Sequence, residues 1–158
     1  MIDHSVVLFV CSGNYYRSRF AEALFNHQAE MRGLRWRAES KGFRPHLGEG
    51  DLSPHARSAL SLRGIPLHRT RPSPSKLEER DFIGADRTIM LKEDEHRPKL
   101  EAHFPFWIDQ VSYWDIHDID VEPPSVALPK LEQRVLWFLD SLANRYGLGS
   151  RESEAAGV

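Results

Sequence analysis

One cysteine, Cys11, occurs in 158 residues. No internal disulfide can form, and no cysteine set for a structural zinc exists. Such cysteine usage is expected of a chain working in a reducing cytoplasm. Long apolar runs are absent as well, so no membrane-spanning helix is expected. The short apolar stretch Val6–Val10 follows Asp3 and His4 without a cationic region, which does not read as an export signal. Neither sign of charge dominates: 21 Lys and Arg face 23 Asp and Glu, for a net charge of −2. That balance speaks against nucleic acid or a membrane surface as partner. The eight histidines show no metal-ligand spacing, so neither a metal nor any other cofactor is expected. Internal repeats are missing too, and nothing in the sequence marks an oligomeric state. At this length the chain reads as one domain over residues 1–148, able to bury roughly 70% of its unfolded surface. Residues 149–158, rich in Ser, Glu, Ala and Gly, are predicted to be a disordered tail.

What is present concentrates near the start. Val6-Val7-Leu8-Phe9-Val10 is mostly β-branched or aromatic and does not alternate, the pattern of a strand covered on both faces. From Arg19 a helical pattern places Phe20, Ala23, Leu24 and His27 on one face, with Ser18 available as N-cap. Cys11-Ser12-Gly13-Asn14-Tyr15-Tyr16-Arg17-Ser18 is therefore a strand-to-helix turn. Such a turn directs backbone N–H groups and the positive end of a helix dipole at one point, which stabilises a phosphate or a thiolate there. Gly13 permits close backbone approach, Asn14 tolerates the left-handed conformation, and Arg17 supplies a planar fork of donors. The Gly-Lys-Ser/Thr ending of a nucleotide-binding loop is absent; a cysteine stands at the front instead. Taken singly, Cys11 would be a small buried hydrophobe, Arg17 a solvated charge and Tyr15 and Tyr16 packing residues. Arg17 in a first helical turn opposes the dipole, and a bound anion would account for it.

Downstream, strands and helices alternate, which favours an α/β fold: a single three-layer domain with a central, mainly parallel sheet and helices on both faces. Leu34–Glu39 alternates as a second strand. Ser53-Pro54 opens a helix that Gly64 ends. Arg87–Leu91 reads as a buried strand, Gln110–Trp114 as a short one, and Arg69–Lys76 as a Pro-rich surface loop. The last helix is predicted over Pro129–Tyr146, with Leu131, Val135, Leu136, Leu139 and Leu142 on one face and Gly147 as its stop.

Cysteine, five residues, arginine and serine near residue 10 after a first strand resembles the low-molecular-weight protein tyrosine phosphatase family. The matching positions are Cys11, Gly13, Asn14, Arg17, Ser18, Ala21 and Glu22. Tyr16 departs from the pattern where a second cysteine is usual, and Arg19 where proline is usual. The resemblance spans about residues 5 to 145 and implies the phosphatase loop after the first strand. Cys11 is then the nucleophile, and Arg17 with Ser12, Gly13, Asn14, Tyr15, Tyr16 and Ser18 binds the phosphate. Ser18, Asn14 and Ser40 hold the loop in shape. It also implies an acid about 100 residues after the nucleophile. Asp118 fits, four positions after Trp114, although Ile119 replaces the usual proline; Asp115 and Asp120 remain alternatives, each also readable as a solvated loop charge.

The expected activity is cysteine-dependent phosphomonoester hydrolysis through a phosphocysteine, with a phosphorylated protein or a small phosphate ester as partner. Phosphotyrosine is the default substrate; phosphoarginine or a small ester is the alternative, and a phosphate-binding module without turnover would keep the loop while needing no acid. An arsenate reductase of similar fold would need two further thiols. A Cys-His hydrolase would have no purpose for Arg17.

Overall fold

A computed structural model describes residues 3–45 and 50–145. Chain order is β1 (Ser5–Cys11), α1 (Arg17–Met31), β2 (Trp36–Gly42), α2 (Pro54–Leu62), α3 (Glu79–Gly84), β3 (Arg87–Met90), α4 (Glu93–His103), β4 (Ser112–Tyr113) and α5 (Pro124–Arg145). The four strands form one parallel sheet in the order β2-β1-β3-β4.

The unbroken apolar run of β1 is buried on both sides, and its alternate residues serve two different cores. Val7, Phe9 and Cys11 face a cluster with Phe20, Leu24 and Phe25 of α1, Leu60 of α2 and Leu131, Val135 and Leu139 of α5. Leu8 and Val10 face Leu77, Phe82 of α3, Met90 and Leu100 of α4. Helices thus cover both faces, giving three layers.

After β2 the chain crosses β1 and adds β3 on its other side. Loops leaving β1 and β3 therefore diverge at the carboxyl edge, the crevice where open α/β sheets bind ligands. β4, beside β3, delivers the segment 114–122 to that same edge.

Element boundaries depart from the sequence reading in ways that have physical causes. β2 runs on through Ser40 and Gly42, which are buried but break the apolar alternation. Gly42 pairs with Cys11, and a Cβ there would lie 2.7 Å from Asn14 N and 2.8 Å from Ser12 O; only glycine lets β2 lie against the loop. Ser18 is not the N-cap of α1. That position is Tyr16, which makes no side-chain cap, because the Ser18 hydroxyl is engaged inside the loop. α2 starts where predicted, with Ser53 Oγ accepting from His55 N and Ala56 N. The pairing of β4 is confined to Ser112 and Tyr113 within the predicted 110–114. α5 begins at Pro124 rather than Pro129; Pro129 lies on its exposed face, where the carbonyl that a proline leaves unbonded can be hydrated. The 69–76 loop is not wholly superficial: Thr70 is buried and Lys76 bridges to Gly42. α3 and α4, which the sequence reading did not place, cover the second face. The 149–158 tail and the predicted stop at Gly147 lie outside the described residues.

Candidate active site

The 11–18 loop is held from beneath by a buried chain of hydrogen bonds. Asn14 adopts φ 51°, a left-handed conformation that an asparagine tolerates. Its side chain is fully buried and bonded at each end. Nδ2 donates to Ser18 Oγ (2.8 Å) and Ser40 Oγ (2.9 Å), while Oδ1 accepts from Ser75 N (2.8 Å). Ser40 Oγ in turn donates to Glu22 Oε1 (2.6 Å), which also accepts from Thr70 Oγ1 (2.7 Å). Burial pushes the Glu22 carboxyl above its ordinary range, against the hydrogen bonds from Ser40 and Thr70. Arg19, also buried, donates to Thr70 Oγ1 (2.6 Å) and to the Asp51 (2.6 Å) and Arg71 carbonyls. It thereby ties the start of α1 to two flanking segments.

Cys11 Sγ lies 3.0 Å from Ser18 Oγ. Because that oxygen already accepts from Asn14, the hydroxyl hydrogen is free to point at sulfur when the sulfur is a thiolate. Ser18, Asn14 and Ser40 thus form one connected support.

Arg17 is 1% exposed. Nη1 donates to Glu95 Oε1 (3.2 Å) and to the Ile116 carbonyl (2.9 Å), and Nη2 lies 2.9 Å from Glu95 Oε2 and 3.2 Å from Asp118 Oδ2. Nε is buried and makes no hydrogen bond among the described residues. Two segments, those after β3 and β4, therefore hold the guanidinium that the loop after β1 carries, with a donor left for an anion.

Glu95 and its neighbour His96 carry no signal of this kind in the sequence. Both come from α4, whose position next to the loop depends on strand order. His96 is fully buried, and its Nδ1 accepts from Lys92 N (3.1 Å). The proton of the neutral ring therefore sits on Nε2, 3.2 Å from both Ser12 Oγ and Glu95 Oε2. Burial holds His96 below its usual range, against the pull of Glu95. Burial would raise the Glu95 carboxyl, but hydrogen bonds from His96, Arg17 and Ser12 outweigh it and keep the group well below the ordinary carboxylate range. Ser12 Oγ also donates to Glu95 and takes Lys99 Nζ at 3.3 Å.

A cleft of about 660 Å³ opens over the loop. Cys11, Ser12, Gly13, Tyr15, Tyr16, Arg17 and Asp118 line it, with Arg44, His55 and Lys99 among the flanking residues. Asp118 Oδ1 accepts from Ile119 N (2.8 Å), leaving Oδ2 toward Arg17. Asp115 lies elsewhere: it pairs with Lys92 Nζ at 2.5 Å and lines a separate cleft with α4 and α5 residues. Asp120 is exposed and does not line the 660 Å³ cleft. Of the three aspartates, only Asp118 shares a cleft with Cys11.

A sulfur nucleophile, an oriented guanidinium and one carboxyl group at the rim can carry out phosphoryl transfer. Comparison with known proteins agrees. The family described as low molecular weight phosphotyrosine protein phosphatase matches residues 6–124. A protein-arginine-phosphatase of Bacillus subtilis is 34% identical over 105 residues, covering 66% of this chain and 67% of its own. Among solved structures, a low molecular weight protein tyrosine phosphatase from T. tengcongensis is 29% identical with a TM-score of 0.69, covering 89% of this chain and 99% of that one. The YwlE arginine phosphatase, as a mutant with a phosphorylated active-site serine, is 27% identical with a TM-score of 0.70, covering 89% of this chain and 94% of that one.

Proposed function

Because the chain belongs to the low molecular weight phosphotyrosine protein phosphatase family, and is a phosphatase, we propose that Cys11, Arg17 and Asp118 carry its reaction on phosphorylated protein side chains. The observation that carries the reading is the shared cleft, in which Asp118 Oδ2 lies 3.2 Å from the Arg17 guanidinium of the Cys11 loop.

Two displacements at phosphorus follow. Cys11 attacks as the thiolate; the S–P bond forms as the P–O bond to the leaving group breaks, and Asp118 gives its proton to the departing oxygen. Arg17 and the loop amides hold the equatorial oxygens throughout. Asp118, now a carboxylate, then takes a proton from water as its oxygen attacks phosphorus and the S–P bond breaks. Ser18 O–H steadies the thiolate that leaves. Ser12, Gly13, Tyr15 and Tyr16 complete the binding loop, and Asn14 and Ser40 keep its shape.

Phosphotyrosine is the primary substrate in this reading, and the protein works in the cytoplasm. A second reading, phosphoarginine, is favoured by the 34% identity to a protein-arginine-phosphatase and the 27% identity to the YwlE arginine phosphatase structure. Hydrolysis of phosphotyrosine and phosphoarginine peptides of one sequence, compared as kcat/KM, separates the two. Trapping a phosphate on Cys11 by rapid quench and mass spectrometry tests the intermediate; turnover without any phosphorylated Cys11 would overturn the mechanism.

A further inference from the structure

Tyr16 sits in the loop one residue before Arg17 and is 6% exposed. Its hydroxyl is buried and has no hydrogen-bond partner among the described residues, although the residue lines the cleft with Cys11, Arg17 and Asp118. A buried donor without an acceptor destabilises a fold, and phenylalanine would fill the same space without that cost. The hydroxyl therefore calls for a use beyond packing. Burial, and after it the charge of Asp118, push the phenol up to about 12, with Arg17 acting in the opposite sense and Glu122 adding to the rise. Tyr16 is thus within electrostatic reach of the carboxyl that the mechanism uses, and it keeps its proton throughout the neutral range.

Arg17 Nη2 lies 3.2 Å from Asp118 Oδ2. A phosphoryl group in the cleft competes for that guanidinium, which leaves the Asp118 carboxyl short of a donor. We propose that Tyr16 is a positioning residue for Asp118: its O–H donates to the Asp118 carboxyl once Arg17 turns to the phosphoryl oxygens, holding that side chain over the Cys11 sulfur. The inference rests on Asp118 being the acid. Tyr16 loses no proton in either step. Asp118 passes its proton to the leaving oxygen, and the carboxylate so formed accepts a hydrogen bond from Tyr16 until water supplies the next proton.

A purely structural alternative exists, because Glu122 Oε1 is also buried with no partner among the described residues, while Oε2 takes Lys130 Nζ. A Tyr16–Glu122 contact would brace the 118–122 segment without touching the chemistry, and the two cases give different kinetics. The test is a double-mutant cycle between Tyr16→Phe and Asp118→Asn, read as kcat/KM on para-nitrophenyl phosphate and on phenyl phosphate, whose leaving group needs the proton. Tyr16→Phe is expected to lose about tenfold on phenyl phosphate and about twofold on the nitrophenyl ester, and to have no further effect once Asp118 is Asn. Its Tm is expected to stay level or rise. Equal losses on both esters, or losses that add fully to those of Asp118→Asn, would overturn the inference. Should Tyr16→Phe lose vanadate binding, 3,5-difluorotyrosine at position 16 keeps the ring and hydroxyl while acidifying the phenol. An unchanged ratio between the two esters in that variant would likewise overturn it. If Asp118→Asn shows no leaving-group dependence, the functional reading and this inference fall together; if it does and Tyr16→Phe does not, only this inference falls.

Discussion

The 11–18 loop and the 114–122 segment face each other across one cleft and are built on opposite principles. The loop is buried, its position fixed by Asn14, Ser40, Glu22 and Arg19, with hydrogen bonds running to residues as far away as Thr70 and Ser75. The 114–122 segment has buried anchors in Trp114 and Ile116 but leaves Asp118 about one third exposed, held by its own neighbour's N–H and by Arg17. The difference suits the two tasks proposed for them. Oxyanion stabilisation depends on donors already in place, whereas a group that gives and takes protons must meet both leaving group and water.

The contrast gives its largest effect at sulfur. Cys11→Ser should abolish turnover while vanadate binding survives, since the loop's support does not depend on the thiol; comparable turnover in both proteins would break the comparison at its base. Asp118→Asn comes next, with roughly 10²- to 10⁴-fold slower reaction of poor leaving groups and a much smaller loss on activated aryl esters. Arg17→Lys keeps the charge and loses the fork, so kcat and oxyanion affinity should both fall, by about 3 kcal/mol in the transition state. Near-native kinetics there would mean that the arginine does not hold the phosphate.

Glu95→Gln sharpens the comparison through stability. The folded state holds the Glu95 carboxyl below its ordinary value of 4.5. Its contribution is therefore full above that pH and is lost as pH falls through and below it. Wild type should exceed Glu95→Gln by about 1–2 kcal/mol at neutral pH, with the gap closing below about pH 4; a gap that widens on acidification would contradict the assignment. The smallest effect belongs to Asp115→Asn. Its partner is Lys92 and its side chain is 78% exposed, so kcat/KM should change less than about twofold. A leaving-group dependence in that variant would move the acid to Asp115.

Legibility in the sequence followed the range of the interactions. The buried β1, the turn at Cys11–Ser18, the Ser53 cap and the apolar stripe of α5 are written in neighbouring residues, and each emerged from pattern and chemistry. Boundaries shifted where tertiary packing overruled local preference. Ser40 and Gly42 look unlike buried strand residues, yet one bonds Asn14 and the other makes room for it. Ser18 looks like a helix cap, but its hydroxyl serves Cys11. Glu95 and His96 belong to a run of solvated-looking charges, and nothing local separates Glu95 from Asp94 beside it.

The sequence by itself determined the strand-turn-helix loop proposed to carry the nucleophile, the three-layer class and a short set of candidate acids, because a strand, a turn and a helix follow from contacts a few residues apart. Which aspartate reaches the cleft, why Arg17 is buried between two carboxylates, and the place of the Tyr16 hydroxyl depended on the strand order β2-β1-β3-β4. That order brings residues separated by about a hundred positions to one edge of the sheet, and it is set by the packing of two cores rather than by any local pattern.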